Sequence, residues 1–187
     1  AAPDTIETFS YMSSTLTATV ITRDDTAMDG VTITASDNSH TTDSSGQLSF
    51  EVSNGSDVVM DASFAIDDSA TRAINSMDAL QALRIAVGLD TSNGPATYED
   101  YIAADIYGSG SVNSMDALNI LKYAVGLDAP DPHWVFIDSA ADHSAIKQTS
   151  VNYDTGMTLE GFSADASVSL TGILVGDIDD SYSGLIA

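Results

Sequence analysis

The sequence predicts an α+β protein in which antiparallel β-sandwich regions flank a pair of loop–helix repeats. Three observations carry this. Short β-branched runs fill residues 8–66, residues 74–90 and 112–128 are near copies of one another, and strand-like patterning returns from Trp134. The expected organisation is a β-sandwich region over 1–66, a tandem repeat module over 67–129, and a second β region over 130–187 that packs on the first or completes it.

Thr15–Thr22, Val31–Ala35, Gln47–Val52 and Val58–Ile66 are β-branched or alternating, and Asp29-Gly30, Ser45-Gly46 and Asn54-Gly55 mark turns between them. Short strands at this spacing suit an antiparallel sandwich. Beyond the repeats, Trp134–Ile137, Gln148–Tyr153 and Ala166–Val175 also fit strands.

The repeat aligns INSMDALQALRIAVGLD (74–90) with VNSMDALNILKYAVGLD (112–128) at an offset of 38, with 12 of 17 positions identical. Each copy reads as an amphipathic helix of about three turns. Asn75 or Ser76 is placed to cap the first, and Asp78 lies in its first turn, where the helix dipole favours an anion. Leu80, Leu83 and Val87 form its apolar stripe and Gly88 ends it; Asn113, Asp116, Leu118, Leu121, Val125 and Gly126 repeat the scheme.

Charge narrows the function classes. The chain has 28 acidic and 5 basic residues, a formal net charge of −23, and only Glu7, Glu51, Glu99 and Glu160 among the acids are not Asp. A phosphate backbone requires clustered Lys and Arg, so nucleic acid is excluded as a partner. Asp-rich composition favours turns and oxygen-lined loops, or a heavily solvated surface, and the repulsion is eased by bound cations. Cysteine is absent, which removes disulfides and thiolate metal sites. No apolar run is long enough to span a bilayer, so no membrane insertion is expected. No signal peptide is visible, and the start at Ala1-Ala2-Pro3 reads as a mature fragment. His40, His133 and His143 are scattered, and no nucleophile–base arrangement stands out, so no catalytic residues and no enzyme activity are expected.

The repeats carry a metal-binding frame. A twelve-residue calcium loop delivers oxygens from positions 1, 3, 5, 7 and 9 and a carboxylate from position 12, because a hard cation needs six to eight oxygens. Residues 105–116 (DIYGSGSVNSMD) place Asp105, Ser109, Ser111, Asn113 and Asp116 in that frame; residues 67–78 (DDSATRAINSMD) place Asp67, Ser69, Thr71, Ala73, Asn75 and Asp78. One or two Ca2+ ions are expected. Each loop keeps only two in-frame carboxylates, so the affinity belongs to the weak extracellular range of roughly 10⁻⁴–10⁻³ M. A further segment, GDIDDS at 176–181, opens like a calcium loop with Asp177 and Asp179 but lacks a following helix, and is read as a turn.

Residues 67–128 resemble type I dockerins, which carry two such loop–helix repeats with Asp at position 12 and dock onto cohesin domains. The match is best over 105–126; Tyr107 and Ser109 depart from the family's Asn or Asp, and the first loop has no glycine. The resemblance implies partner contacts at Ser76, Met77, Leu83 and Arg84 and at Ser114, Met115, Leu121 and Lys122. A second resemblance, over 15–60, is to prealbumin-like, carboxypeptidase-regulatory sandwiches of bacterial surfaces. Residues 1–66 contain no Lys, which removes the Lys–Asn isopeptide bond some of those relatives form.

Two functions follow as expectations. One is a non-catalytic, calcium-binding structural or adhesion module of a larger bacterial secreted or surface protein, in which calcium rigidifies the helix pair as an internal strut packed on the flanking β regions, with neighbouring domains of the same chain as partners. The other is a true docking module for a cohesin-like protein. Burial of Leu83, Arg84, Leu121 and Lys122 favours the first, exposure the second.

Overall fold

The computed structural model describes residues 12–36 and 38–182; residues 1–11 of the expected N-terminal β region and 183–187 of the C-terminal one lie outside the described residues. The described elements are, in order, β1 (Ser13–Thr22), β2 (Thr32–Ala35), β3 (Asn38–Thr41), β4 (Gln47–Ser53) and β5 (Ser56–Ser63), then α1 (Asp68–Ala73), α2 (Ser76–Ala86), α3 (Tyr98–Ala104) and α4 (Ser114–Ala124), and finally β6 (His133–Asp138), β7 (Met157–Phe162) and β8 (Ala166–Val175). The protein is α+β with two four-stranded sheets, ordered β4-β1-β8-β6 and β3-β2-β5-β7.

Both sheets draw strands from the two ends of the chain. β8 lies parallel to β1, with Leu16 opposite Ala166 and Thr22 opposite Gly172, and antiparallel to β6 on its other side. β7 closes the second sheet by pairing antiparallel with β5. The helical segment is thus an insertion between β5 and β6, within one sandwich. Strict alternation explains β1: Leu16, Ala18 and Val20 are buried between the sheets, while Thr15, Thr17 and Thr19 lie on its other face. Met28, Ile33, Met60, Phe136, Phe162 and Leu170 fill the same core.

β8 has a different pattern because both its faces are covered. Leu170 through Val175 are all buried. Ile173 and Val175, with Val135 and Ile137 of β6, face a second core containing Ile85, Ile102, Ala103 and Ile120 of the helices. A strand covered on both sides becomes a continuous apolar run, and LTGILV is one.

The apolar stripe expected on each repeat helix lies on the outward face. Ala79, Ala82 and Ile85 of α2, and Ala117 and Ile120 of α4, are the buried residues, whereas Leu80, Leu83, Val87, Leu118, Leu121 and Val125 are exposed. Each helix is apolar on two faces, and the alanine-rich face is the one that faces the interior. Expected strand Gln148–Tyr153 lies outside both sheets. It instead flanks the second loop, with Val112 N donating to Gln148 O at 2.7 Å and Val151 N donating to Gly110 O at 2.8 Å.

Candidate calcium loops and an exposed apolar helix face

In the second repeat the sequence folds into the expected wound loop. Asp105 Oδ1 accepts from Ser109 N at 2.9 Å and Oδ2 from Gly110 N at 2.8 Å. Asp116 reaches back from α4: Oδ1 accepts from Tyr107 N at 3.1 Å and Oδ2 from Asn113 N at 2.9 Å. The Asn113 side chain caps α4 by accepting from Met115 N and donates to Ser111 O. Gly108 and Gly110 have φ of 67° and 78°, the left-handed conformation the winding requires. Asp105, Ser109, Ser111, Asn113 and Asp116 are therefore brought together, and their donor set is all oxygen, as a hard cation demands. Tyr107 contributes only its backbone here, and its side chain is exposed. Burial, aided by the nearby Asp105 charge, pushes the Asp116 carboxyl up from its ordinary value.

The first repeat departs from its frame. Residues 68–73 form α1, and Asp67 serves as its cap, accepting from Ser69 N at 3.0 Å and Ala70 N at 2.8 Å. Thr71 Oγ1 donates to Asp68 O within the helix. A helical turn radiates alternate residues outward, so Asp67, Ser69 and Thr71 do not line a wound loop around Asp78. The second half of the frame is kept: Asn75 caps α2 and forms a capping box with Asp78.

Asp78 instead faces the C-terminal segment. Its Oδ1 accepts from Ile178 N at 2.8 Å and Asp179 N at 3.1 Å. Asp78, Asp177 and Asp179 each bring a carboxylate oxygen to within 4.8 Å of the others. Two ligands across a calcium ion at about 2.4 Å stand at most ~4.8 Å apart, so this spacing fits one ion. Asp78 and Asp177 are fully buried, and none of the three forms an ion pair among the described residues. Two full charges about 5 Å apart repel by roughly 3 kcal/mol at an effective dielectric near 20. Burial pushes the Asp78 carboxyl up to about 6, and burial together with the Asp78 charge raises Asp177. The Asp179 Oδ1 atom is buried and accepts no hydrogen bond from a described residue. Gly176, with φ of 108°, turns the chain out of β8 into this cluster; a Cβ there would stand 2.9 Å from the Ile74 side chain.

The outward face of α2 and α4 is the other unusual feature. Met77, Leu80, Leu83, Val87 and Leu89 and their repeat mates Met115, Leu118, Leu121, Val125 and Leu127 are 42–64% exposed, and mates agree to within 2 percentage points. A shallow groove between the helices is lined by Ser76, Ala79, Leu80 and Leu83 and by their offset-38 equivalents Ser114, Ala117, Leu118 and Leu121. Arg84 and Lys122 are half-buried at the edge, and Arg84 Nε donates to Asp90 O at 2.6 Å. All eight expected partner-contact positions are thus at the surface. No pattern in the sequence marks Arg23, whose guanidinium joins Asp100 of α3 to the carbonyls of Asp177 and Ile178. Trp134 packs among Phe64, Phe136 and Tyr182, as a core aromatic does.

These features define a β-sandwich carrying an inserted, acid-lined loop–helix pair with an uncovered apolar face. No family model, curated protein or solved structure matches the chain.

Proposed function

We propose that the protein is a non-catalytic, calcium-stabilised docking module of a secreted or surface protein, whose α2–α4 face receives a cohesin-like partner. The observation that carries this is the exposed apolar face itself, repeated residue for residue across the two helices. Large apolar side chains gathered on one rim of a soluble domain mark an interaction surface more often than chance. If the pair served only as an internal strut, Leu83 and Leu121 would be covered by the sandwich. They point away from it, while Ile85 and Ile120 do the anchoring. The partner should be apolar at its centre with acidic groups at two places, to meet Arg84 and Lys122 on a chain otherwise strongly negative. The dockerin resemblance supplies the cohesin class.

The test is titration of the calcium-loaded protein against a panel of cohesin domains, using wild type and the Leu83→Asp/Leu121→Asp variant. Saturable binding to at least one cohesin, abolished in the variant with melting temperature unchanged, supports the proposal. No binding across the panel, or binding that survives the double substitution, overturns it. Sedimentation showing a wild-type dimer that the variant dissociates would assign the face to self-association instead.

A further inference from the structure

We infer that the first calcium loop of this protein is split: residues 177–182, which follow β8, supply its opening half, and residues 73–78 supply its closing half and helix. The inference shares with the proposed function the premise that these loops take calcium, and goes beyond it by assigning a site to residues about a hundred positions apart.

The contiguous second loop provides an internal standard for the comparison. Its opening half, Asp105-Ile106-Tyr107-Gly108-Ser109, corresponds to Asp177-Ile178-Asp179-Asp180-Ser181, and its closing half, Ser111-Val112-Asn113-Ser114-Met115-Asp116, to Ala73-Ile74-Asn75-Ser76-Met77-Asp78. Five hydrogen bonds recur in both, and the split loop adds Ile178 N to Asp78 Oδ1 at 2.8 Å where Ile106 N bonds to Ala104 O instead. Asp105 accepts from the amides four and five residues on, and so does Asp177, from Ser181 N at 3.0 Å and Tyr182 N at 2.9 Å. Asp116 accepts from the amide of loop position 3, Tyr107, and Asp78 does so from Asp179. Asp116 and Asp78 each accept from the amide of the preceding capping Asn at 2.9 Å. The position-5 hydroxyl donates to the position-7 carbonyl in both, Ser109 to Ser111 O at 3.0 Å and Ser181 to Ala73 O at 3.2 Å. Position 4 is left-handed in both, Gly108 at φ 67° and Asp180 at φ 57°. Position 2 is a buried isoleucine in both.

Geometry of this kind shows a loop, while the carboxylates point to an ion. Tyr107 stands at position 3 of the contiguous loop, but Asp179 stands there in the split one. The split loop therefore has three carboxylates, converging within 4.8 Å, against two in its counterpart. The buried Oδ1 of Asp179 accepts no hydrogen bond from a described residue, although it sits beside the fully buried Asp78 and Asp177. A hard divalent cation satisfies that atom and offsets the three like charges together. Anionic ligand count tunes affinity in such loops, so the split site is the tighter of the two.

The experiment is calorimetric titration of the resin-stripped full chain with calcium, for wild type, Asp177→Asn and Asp105→Asn. Wild type should bind two ions, one roughly tenfold or more tighter than the other. Asp177→Asn should lose the tighter event and Asp105→Asn the weaker. Should Asp177→Asn fail to fold, Tyr107→Asp in the native background gives the contiguous loop its third carboxylate and should tighten the weaker event about tenfold. Calcium should also slow amide exchange at Ser181 and Tyr182. An Asp177→Asn isotherm matching wild type, or calcium-independent exchange at 181–182, overturns the split site while the calcium premise survives through Asp105. A wild type that binds no calcium overturns both.

Discussion

Arg23 offers a test of how the insertion is fastened to the sandwich. It follows β1 directly, yet its Nη2 pairs with Asp100 Oδ1 of α3, and its Nη1 donates to the carbonyls of Asp177 at 3.1 Å and Ile178 at 3.3 Å. Asp100 in turn completes the capping box of α3 by accepting from Thr97 N at 2.8 Å. The paired side chains are only 10% and 11% exposed. Arg23→Met keeps most of the stem but leaves a buried carboxylate and two carbonyls without their donor. Removing one member of a buried pair costs about 3–5 kcal/mol, mostly the penalty on the stranded charge. For a chain of this size that lowers the melting temperature by roughly 6–20 °C. Asp100→Asn removes the stranded charge, so the Arg23→Met/Asp100→Asn double variant should be less destabilised than the sum of the singles by about 1–3 kcal/mol. Urea denaturation of the four proteins in calcium gives the cycle. An Arg23→Met cost below about 0.5 kcal/mol, or strict additivity, would refute the fastening role.

Neighbouring residues of α4 should respond oppositely: Ile120→Ala, at a fully buried position, should cost about 2–5 kcal/mol, and Leu121→Ala, on the exposed face, less than about 0.5 kcal/mol in the same assay. Equal costs would place the core on the wrong face. Ion-free protein should also be more stable in mild acid. With the Asp78 carboxyl raised from 3.8 to about 6, the folded state holds a proton that the unfolded chain has released between those values. The Asp78 contribution to stability is therefore full below about pH 4 and is lost, about 3 kcal/mol, as pH rises through about 6. Calcium favours the ionised form and reverses the slope, so denaturation at about pH 5 and about pH 8, with and without the ion, should show opposite trends. Ion-free protein that is no weaker at the higher pH would contradict this.

The strands that alternate or run apolar, β1, β2, β4, β5, β6 and β8, were legible because their periodicity records which face is covered. β3 (NSHT) and β7 (MTLEGF) were not, since short edge-placed strands with little burial leave almost no pattern. The helices of the repeat were legible from their caps, but not their orientation. Leu80-Leu83-Val87 and Ala79-Ala82-Ile85 are both apolar stripes, and tertiary packing, which no local window contains, decides between them. At the candidate site, Asp78, Asp105 and Asp116 were found by spacing. Asp177 and Asp179 read as a turn in the sequence because no helix follows them, and that reading holds only where a loop and its helix are consecutive in the chain.

The topology explains why they need not be. β8 is an interior strand of its sheet and is covered by the insertion, so the chain leaving Val175 emerges against α2 and α3, with Gly176 N donating to Ala103 O at 2.8 Å. In the second repeat the same place beside its helix is reached by the chain leaving α3. The first repeat is entered from β5 through α1, and the opening half of its loop arrives with β8. The contiguous loop therefore draws its whole frame from twelve consecutive residues, with 148–151 bonding to it from outside. The split loop exists only after β8 has docked between β1 and β6. An ion held there is coupled to docking of β8 in the sheet, whereas one held at Asp105 and Asp116 is coupled to α3, α4 and the 148–151 segment that bonds to the loop.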